Sequence, residues 1–134
     1  MELAQIKKRF EEDRFASHMG AEILEAAPGY ARCALTLADW HRNAAGGVMG
    51  GVTFTLADFA FAVAVNAFAE QVTVSLQHGI TFLAPARGKE IVAEARCVRS
   101  GRSTCFYTVT ISDELGTAVA HMTVNGFVTQ RKMR

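Results

Sequence analysis

Apolar residues occupy nearly every position of one long segment, residues 52–69, which follows a glycine-rich loop. A helix that is apolar on all sides belongs inside a protein core rather than on its surface. From Asn43 to Ala69, the one ionisable side chain is that of Asp58. The pattern therefore predicts a buried helix that begins near Gly50 and ends near Ala69, with a single carboxylate about two turns inside it.

The first residues of the chain show a shorter helical pattern. Leu3, Ile6 and Phe10 are spaced three and four residues apart, which places them on one side of a helix with charged residues on the other. We therefore predict one amphipathic helix over residues 2–16. Its apolar side is expected to pack on an edge or a face of the elements that follow.

Most of the remaining chain alternates between apolar and polar residues, as half-buried strands do. Two such stretches meet at the Pro28-Gly29 dipeptide, which predicts a hairpin. Four later stretches are separated by short turns that contain glycine or proline. The predicted strands cover residues 21–27, 30–37, 72–83, 89–99, 102–113 and 117–128.

This order of elements predicts an α+β fold in which one antiparallel β-sheet wraps around the long central apolar helix. A length of 134 residues fits a single domain over residues 1–134. One sheet cannot enclose the helix completely, and its other face also carries apolar residues. We therefore expect the protein to form an oligomer that covers these surfaces.

Composition narrows the range of partners and compartments. The formal net charge of +1 argues against nucleic acid as a partner. The three cysteines, Cys33, Cys97 and Cys105, lack metal-ligand spacing and are expected to be reduced core residues, which favours the cytoplasm. The N-terminus has no signal-peptide pattern, and residues 52–69 contain polar side chains and lack basic flanks, so no membrane span is expected.

The stretch from His41 to Asp58 reads HRNAAGGVMGGVTFTLAD. It resembles the hotdog-fold acyl-CoA thioesterases of the phenylacetate-degradation (PaaI-type) branch, which carry the pattern H-x-N-x-x-G-x-x-H-G-G-x-x-x-x-L-A-D. Every fixed position matches except one, where Met49 replaces the family histidine. The resemblance continues through residues 80–88 and the turn at residues 99–102, and it covers a core of about residues 20–129.

Asp58 is the first candidate for chemistry. A carboxylate inside an apolar helix is paired, neutral or functional. One interpretation is a buried Asp that is satisfied by hydrogen bonds across a subunit interface. The other, which the resemblance favours, is a carboxylate that attacks a thioester carbonyl or takes a proton from the attacking water.

Gly50 and Gly51 are expected at the helix start, where backbone N–H groups lack partners and the helix dipole is positive. Such donors suit the oxygen of a thioester that gains negative charge during attack. By resemblance, Gly50 N–H is the oxyanion donor and Gly51 lies beside the substrate. A tight turn from loop to helix would also explain both glycines.

Three further sets of residues carry weaker signals. Asn43 is a catalytic candidate, since it matches the family residue that hydrogen-bonds near the scissile carbonyl or helps place the attacking group, although a loop Asn is also a common turn residue. Met49 is a predicted substrate-binding residue, because the family histidine at its position orients the loop or contacts substrate. Its thioether can neither titrate nor donate a hydrogen bond, so we expect altered specificity or rate rather than loss of activity. Arg99 and Arg102, together with Arg87 and Lys89, lie at turns where they either contact the phosphates of coenzyme A or are simply solvated; Arg102 is the strongest candidate.

The histidines complete the survey of reactive side chains. His41 belongs to the motif but is expected to support the loop. His78 and His121 lie on predicted strands and are interpreted as satisfied or interface residues. The four histidines show no paired metal spacing, so no metal site is proposed.

The sequence therefore predicts an acyl-CoA thioesterase for an aromatic or medium-chain acyl group, with coenzyme A as part of the substrate and no separate cofactor. The predicted assembly is a homotetramer made of two dimers, with each site at a dimer interface between Gly50 of one subunit and Asp58 of the other. Two alternatives remain on the same fold. The first is a non-catalytic acyl-CoA binding or sensing protein, which Met49 favours, and the second is a hydratase or dehydratase.

Overall fold

The computed structural model describes residues 1–134 and contains six strands around one long helix. The elements are α1 (Leu3–Arg9), α2 (Arg14–Met19), β1 (Glu22–Ala27), β2 (Tyr30–Thr36), a short 3-10 turn (Asp39–His41), α3 (Gly50–Asn66), β3 (Gln71–Phe82), β4 (Glu90–Ser100), β5 (Thr104–Asp113) and β6 (Ala118–Lys132). The strands form one antiparallel sheet in the order β1-β2-β4-β5-β6-β3. This confirms the predicted α+β architecture.

Helix α3 lies against the inner face of the sheet. Leu56, Ala60 and Val63 on the helix are completely buried, as are Ala93 and Ala95 on β4. The small side chains of β4 leave room for the helix to approach the sheet closely. The accessible side of α3 carries a strip of residues at three- and four-residue spacing: the exposed Gly51 and the partly exposed Thr55, Asp58, Ala62 and Val65. Gly50 and Phe54 are partly exposed beside this strip.

The prediction of a single helix over residues 2–16 is wrong, because the N-terminal segment forms two helices. Helix α1 ends at Arg9, and α2 begins at Arg14 after a turn. Three consecutive carboxylates, at residues 11–13, follow α1, and negative charge is unfavourable at the C-terminal end of a helix. The apolar anchors Ile6 and Phe10 are nevertheless buried, as their spacing predicts.

Two of the three cysteines lie in the core, as the alternation of the strands predicts. Cys33 and Cys105 are buried, and burial raises the pKa of Cys33 to about 12. Cys97 is exposed, so its assignment to the core is wrong. The pairing of β4 with β5 shifts register between Cys97 and Arg99, which interrupts the strict alternation of the strand. All three thiols are free.

Strand β3 is an edge strand that is fixed at its first half by the end of α3. The Asn66 amide donates to the Thr73 carbonyl at 3.1 Å, and Thr73 N–H donates back to Asn66 Oδ1 at 2.8 Å. Both residues are buried. Asn66 therefore ends the helix and starts the strand.

A β-bulge interrupts β3 at Leu76. Ser75 opposes Gly126 on β6, whereas Gln77 opposes Asn125 and His78 opposes Val124, so Leu76 is the extra residue. Gly126 and Val124 are both buried on the inner face. The bulge therefore places Ser75 and His78, three residues apart, on the same inner face of the sheet.

Candidate active site

The loop before α3 is organised by Asn43. Its Oδ1 accepts hydrogen bonds from the N–H groups of Ala45 at 3.0 Å and Gly47 at 3.1 Å, while its own N–H donates to the Gly47 carbonyl at 2.8 Å. The side-chain NH2 donates to no group of the protomer. Asn43 therefore folds the loop with its oxygen and leaves two donors available to a ligand.

His41 links this loop to the end of α2 through hydrogen bonds. The side chain is buried, with Nδ1 accepting from Ala38 N–H at 2.9 Å and Nε2 lying 2.9 Å from the Met19 carbonyl. Because a backbone N–H can only donate and a carbonyl can only accept, Nε2 carries the hydrogen. The His41 carbonyl also accepts from Met49 N–H at 2.9 Å. Both ring nitrogens are used structurally.

Gly50 is the first residue of α3, where its N–H has no intrahelical acceptor. Together with Asn43 it lines a cavity of ≈ 380 Å³ whose opposite wall includes Phe82, Leu83 and Pro85. Gly50, the predicted oxyanion donor, and Asn43, the catalytic candidate of the loop, therefore share one cavity. The positive end of the helix dipole also points into it.

Met49 and Gly51 open onto a different cavity, on the other side of the helix start. It has a volume of ≈ 340 Å³, and its lining includes Phe15, Trp40 and Thr55. Met49 is 56% exposed, and its side chain lies in a mainly apolar setting. The structure thus separates the two predicted substrate-binding residues Met49 and Gly51 from the Asn43 side of the loop.

Asp58 lies on the accessible strip of α3, and its side chain is 45% exposed in the protomer. Its Oδ1 lies 2.7 Å from Nε2 of His78 on β3. The ring of His78 contacts Phe54 and Phe61 at centroid distances of 5.0 Å and 6.4 Å. His78 is therefore satisfied, as interpreted from the sequence, but its partner was not anticipated.

A second carboxylate, that of Asp13, lies near Asp58 at the start of α2. Burial raises the pKa of the Asp13 carboxyl, and the negative charge of Asp58 adds to the increase. No sequence motif links Asp13 to the site, because the turn between α1 and α2 that places it there was not predicted. Asp58 is thus flanked by an imidazole from the sheet and a carboxyl group from the N-terminal segment.

The remaining candidates are distributed along the helix rather than gathered within one protomer. Gly50 and Asp58 are eight residues apart on α3, which corresponds to about 12 Å along the axis. Arg99 lies at the end of β4 and Arg102 in the turn that follows, beside the end of β6, where Val128 N–H donates to the Ser103 carbonyl. They are therefore at the opposite end of α3 from Gly50, about 25 Å away along the axis.

Arg87 and Lys89 belong to a loop that two carboxylates hold in place. Asp113 accepts from the N–H groups of Arg87 and Gly88, and Glu114 accepts from Lys89 N–H at 2.8 Å. Burial acts to raise the pKa of Asp113, but hydrogen bonds from Arg87, Thr117 and Gly88 outweigh it and hold that pKa well below its usual range. This loop has a clear structural role.

Two general properties of the chain complete the description. No helix combines the length and the apolar character that a membrane crossing requires. No group of three or more His, Cys, Asp or Glu side chains is arranged to hold a metal ion.

Comparison with known proteins identifies the family. Residues 45–120 match the family model described as the thioesterase superfamily. Human acyl-coenzyme A thioesterase 13 is 31% identical over 94 residues, which cover 69% of this chain and 67% of that protein.

Solved structures share the whole architecture. The E. coli PaaI protein from the phenylacetic acid degradation operon has a TM-score of 0.89 at 24% identity, with 99% of this chain and 100% of that chain covered. The smu.793 protein of Streptococcus mutans, solved bound to acetyl CoA, has a TM-score of 0.77 at 26% identity, with 84% and 91% covered. The chain belongs to the thioesterase superfamily, as a thioester hydrolase with the hotdog fold.

Proposed function

We propose that this protein hydrolyses the thioester of an acyl-coenzyme A, with Asp58 as the nucleophile or general base and Gly50 N–H as the oxyanion donor. The observation that carries the proposal is the position of Asp58, whose partly exposed carboxylate is the one ionisable group of α3. The human relative is named as an acyl-coenzyme A thioesterase, and the Streptococcus mutans neighbour was solved with acetyl CoA. Both support coenzyme A as the thiol part of the substrate.

In the general-base route, the Asp58 carboxylate takes a proton from water while the water oxygen bonds to the thioester carbon. The carbonyl oxygen becomes negative and is stabilised by Gly50 N–H and the dipole of α3. When the carbon–sulfur bond breaks, the thiolate receives the proton from Asp58. The products are the free carboxylic acid and coenzyme A, and the Asp58 carboxylate is regenerated.

In the nucleophilic route, an Asp58 oxygen bonds to the thioester carbon and the thiolate leaves, which forms a mixed anhydride. Water then hydrolyses the anhydride. A single turnover in water enriched in heavy oxygen distinguishes the two routes, since only anhydride hydrolysis with attack at the aspartyl carbon transfers the label to Asp58. If water attacks the acyl carbon of the anhydride instead, the label enters only the carboxylic acid product, as it does in the general-base route. Trapping the anhydride with hydroxylamine then distinguishes the two routes.

The site requires two copies of the chain. Gly50 N–H and Asp58 must both lie about 3 Å from one thioester group, and about 12 Å of helix separates them within a protomer. The accessible strip of α3 and the edge strand β3 offer a surface for a second copy. Three large apolar residues at that edge are exposed: Leu76, Phe82 and Leu83. We propose a dimer with two sites, each made from Gly50 of one protomer and Asp58 of the other, and a tetramer of two such dimers.

The same arrangement suggests roles for the remaining candidates. Arg99 and Arg102 lie far from Gly50 of their own protomer, and we propose that they contact the phosphates of coenzyme A bound at a shared site. Asn43 contributes the amide donors beside Gly50. The cavity lined by Met49, Gly51 and Trp40 suits an aromatic or medium-chain acyl group in volume and apolar character.

The decisive experiment measures release of free thiol from a panel of acyl-CoA thioesters by wild type, Asp58→Asn and Asp39→Asn. Asp39 is an exposed aspartate outside the site and serves as the matched control. We expect Asp58→Asn to lose at least a hundredfold in kcat while it unfolds at the wild-type temperature. Hydrolysis at the wild-type rate by a folded Asp58→Asn variant would refute the role of Asp58. Tight binding of acyl-CoA by the wild type without thiol release would instead identify a binding protein.

Sharing of the site is tested by mixing two inactive variants. A dimer of one Asp58→Asn chain and one Gly50→Val chain has one site with both intact residues, so random mixing restores about a quarter of wild-type activity in a C2 dimer. No recovery in verified mixed dimers, or a monomer in light scattering at micromolar concentration, would contradict the shared site.

A further inference from the structure

His78 is the one side chain of the protomer that hydrogen-bonds the Asp58 carboxylate. Its Nε2 lies 2.7 Å from Asp58 Oδ1, and Oδ2 has no partner in the protomer. The two side chains differ in access to solvent, with 15% of His78 and 45% of Asp58 exposed. The contact therefore engages one carboxylate oxygen from the more buried residue and leaves the other oxygen available to a ligand.

The surroundings of His78 fix the orientation of its ring. The ring of Phe54 lies 5.0 Å away and that of Phe61 lies 6.4 Å away, both in edge-to-face geometry. The bulge at Leu76 turns His78 to the inner face, opposite Val124. An imidazole held between two aromatic rings has little rotational freedom, so its Nε2 is aimed at Asp58.

The chemistry of the pair determines the direction of the hydrogen bond. An ionised carboxylate has acceptors alone, so Nε2 carries the hydrogen and donates it to Oδ1. The other charged group near Asp58 is Asp13, whose negative charge would repel the carboxylate rather than hold it. No other group in the protomer fixes the rotation of the Asp58 side chain.

We propose that His78 is a positioning residue of the hydrolytic site, which holds Asp58 Oδ1 so that Oδ2 faces the thioester or the attacking water. This inference rests on the proposed role of Asp58. A carboxylate free to rotate on an exposed strip would spend much of its time in unproductive orientations, and small displacements of a reacting group are costly for catalysis. The N–H donor of His78 removes that freedom, with no requirement that His78 touch the substrate.

Two substitutions separate the donor from the bulk of the side chain. His78→Phe keeps an aromatic ring among Phe54 and Phe61 but removes the N–H, whereas His78→Gln keeps a donor at a similar distance from the backbone. We expect His78→Phe to lower kcat by about tenfold to a hundredfold with KM within about twofold of wild type. We expect His78→Gln to retain most of the wild-type kcat. His121→Phe, on the exposed outer face of β6, is the control and should leave both constants unchanged.

Each outcome bears on one proposal. If Asp58→Asn abolishes hydrolysis while folded His78→Phe keeps the wild-type kcat, the positioning role is refuted and the role of Asp58 stands. If Asp58→Asn itself is fully active, the proposed role of Asp58 is refuted, and the positioning role of His78 that rests on it is refuted as well. An equal loss of kcat in the Phe and Gln variants would also overturn the inference, because the donor would then not matter. The double variant Asp58→Asn/His78→Phe should be no slower than Asp58→Asn alone, since the two residues act as a unit.

Discussion

The ring of Phe82, at the end of β3, lies directly against Gly50 at the start of α3. A Cβ atom added to residue 50 would stand 3.1 Å from Phe82 Cζ, a separation tighter than most real contacts of that kind. Phe82 is 55% exposed, so the ring has room to move. A methyl group at position 50 would therefore displace an exposed ring rather than a fixed core side chain.

Gly50→Ala should slow thioester hydrolysis with a small effect on folding. The added methyl group narrows the approach to the N–H, and we expect kcat/KM to fall by about tenfold to a thousandfold. The free energy of unfolding should change by less than about 1 kcal/mol, because the exposed ring can yield. Thiol-release kinetics and denaturant unfolding measure the two effects.

The double variant Gly50→Ala/Phe82→Leu shows whether obstruction of the N–H or displacement of Phe82 slows hydrolysis in Gly50→Ala. It removes the clash with the ring but keeps the methyl group beside the N–H, so it should remain slow. Recovery of the wild-type rate in this variant would show that displacement of Phe82, rather than obstruction of the N–H, caused the loss.

Met49→His should change the rate moderately and should not create activity. The Met49 N–H, which donates to His41, is independent of the side chain, and that side chain lies in the apolar cavity away from Asn43. We therefore expect kcat and KM to stay within about tenfold of wild type for each acyl-CoA tested. A jump from undetectable to rapid hydrolysis would mean that the family histidine is the essential group.

Asn66→Ala should destabilise the protein and leave the chemistry intact. The substitution leaves the N–H and carbonyl of Thr73 buried without partners, which costs about 2–3 kcal/mol in the free energy of unfolding. The control Asn125→Ala, on the exposed side of β6, should cost little. Urea unfolding monitored by circular dichroism provides the comparison, and equal stability of the two variants would contradict the assigned role of Asn66.

Asp113→Asn should lower stability at neutral pH and less so in acid. The pKa of Asp113 is depressed in the folded state, so its carboxylate contributes stability above the ordinary aspartate pKa and loses that contribution as pH falls. The difference in melting temperature between wild type and Asp113→Asn should therefore be full at pH 7 and shrink below about pH 4. The same scan with Asp39→Asn should show no such trend, and a difference that grows in acid would disprove the assignment.

Local patterns were sufficient to predict much of the fold. The start of α3 at Gly50 and the hairpin around Pro28-Gly29 follow from residues next to one another in the chain. The end of α3 is earlier than the predicted Ala69, since Asn66 turns to bind Thr73 on β3. That contact depends on two segments meeting in three dimensions.

The candidate site was predictable only in part for the same reason. The motif located Gly50 and Asp58, but neither alternation nor motif matching could pair Asp58 with His78. Strict alternation places His78 on the same face as Val74, whereas the pairing with β6 places it on the inner face with Ser75. The split between α1 and α2, which brings Asp13 towards Asp58, follows instead from the carboxylates at residues 11–13, a local signal that the spacing of the apolar residues does not carry.

The bulge at Leu76 gives β3 one residue that the pairing with β6 does not use. Deletion of Leu76 would restore regular pairing and leave Ser75 opposite Gly126 and His78 opposite Val124, so both side chains would stay on the inner face. A chain of this fold without the extra residue can therefore present a side chain to the same carboxylate at a spacing of two residues from Ser75 instead of three. A donor for Asp58 is thus identified by its partner on β6 rather than by its distance along the sequence.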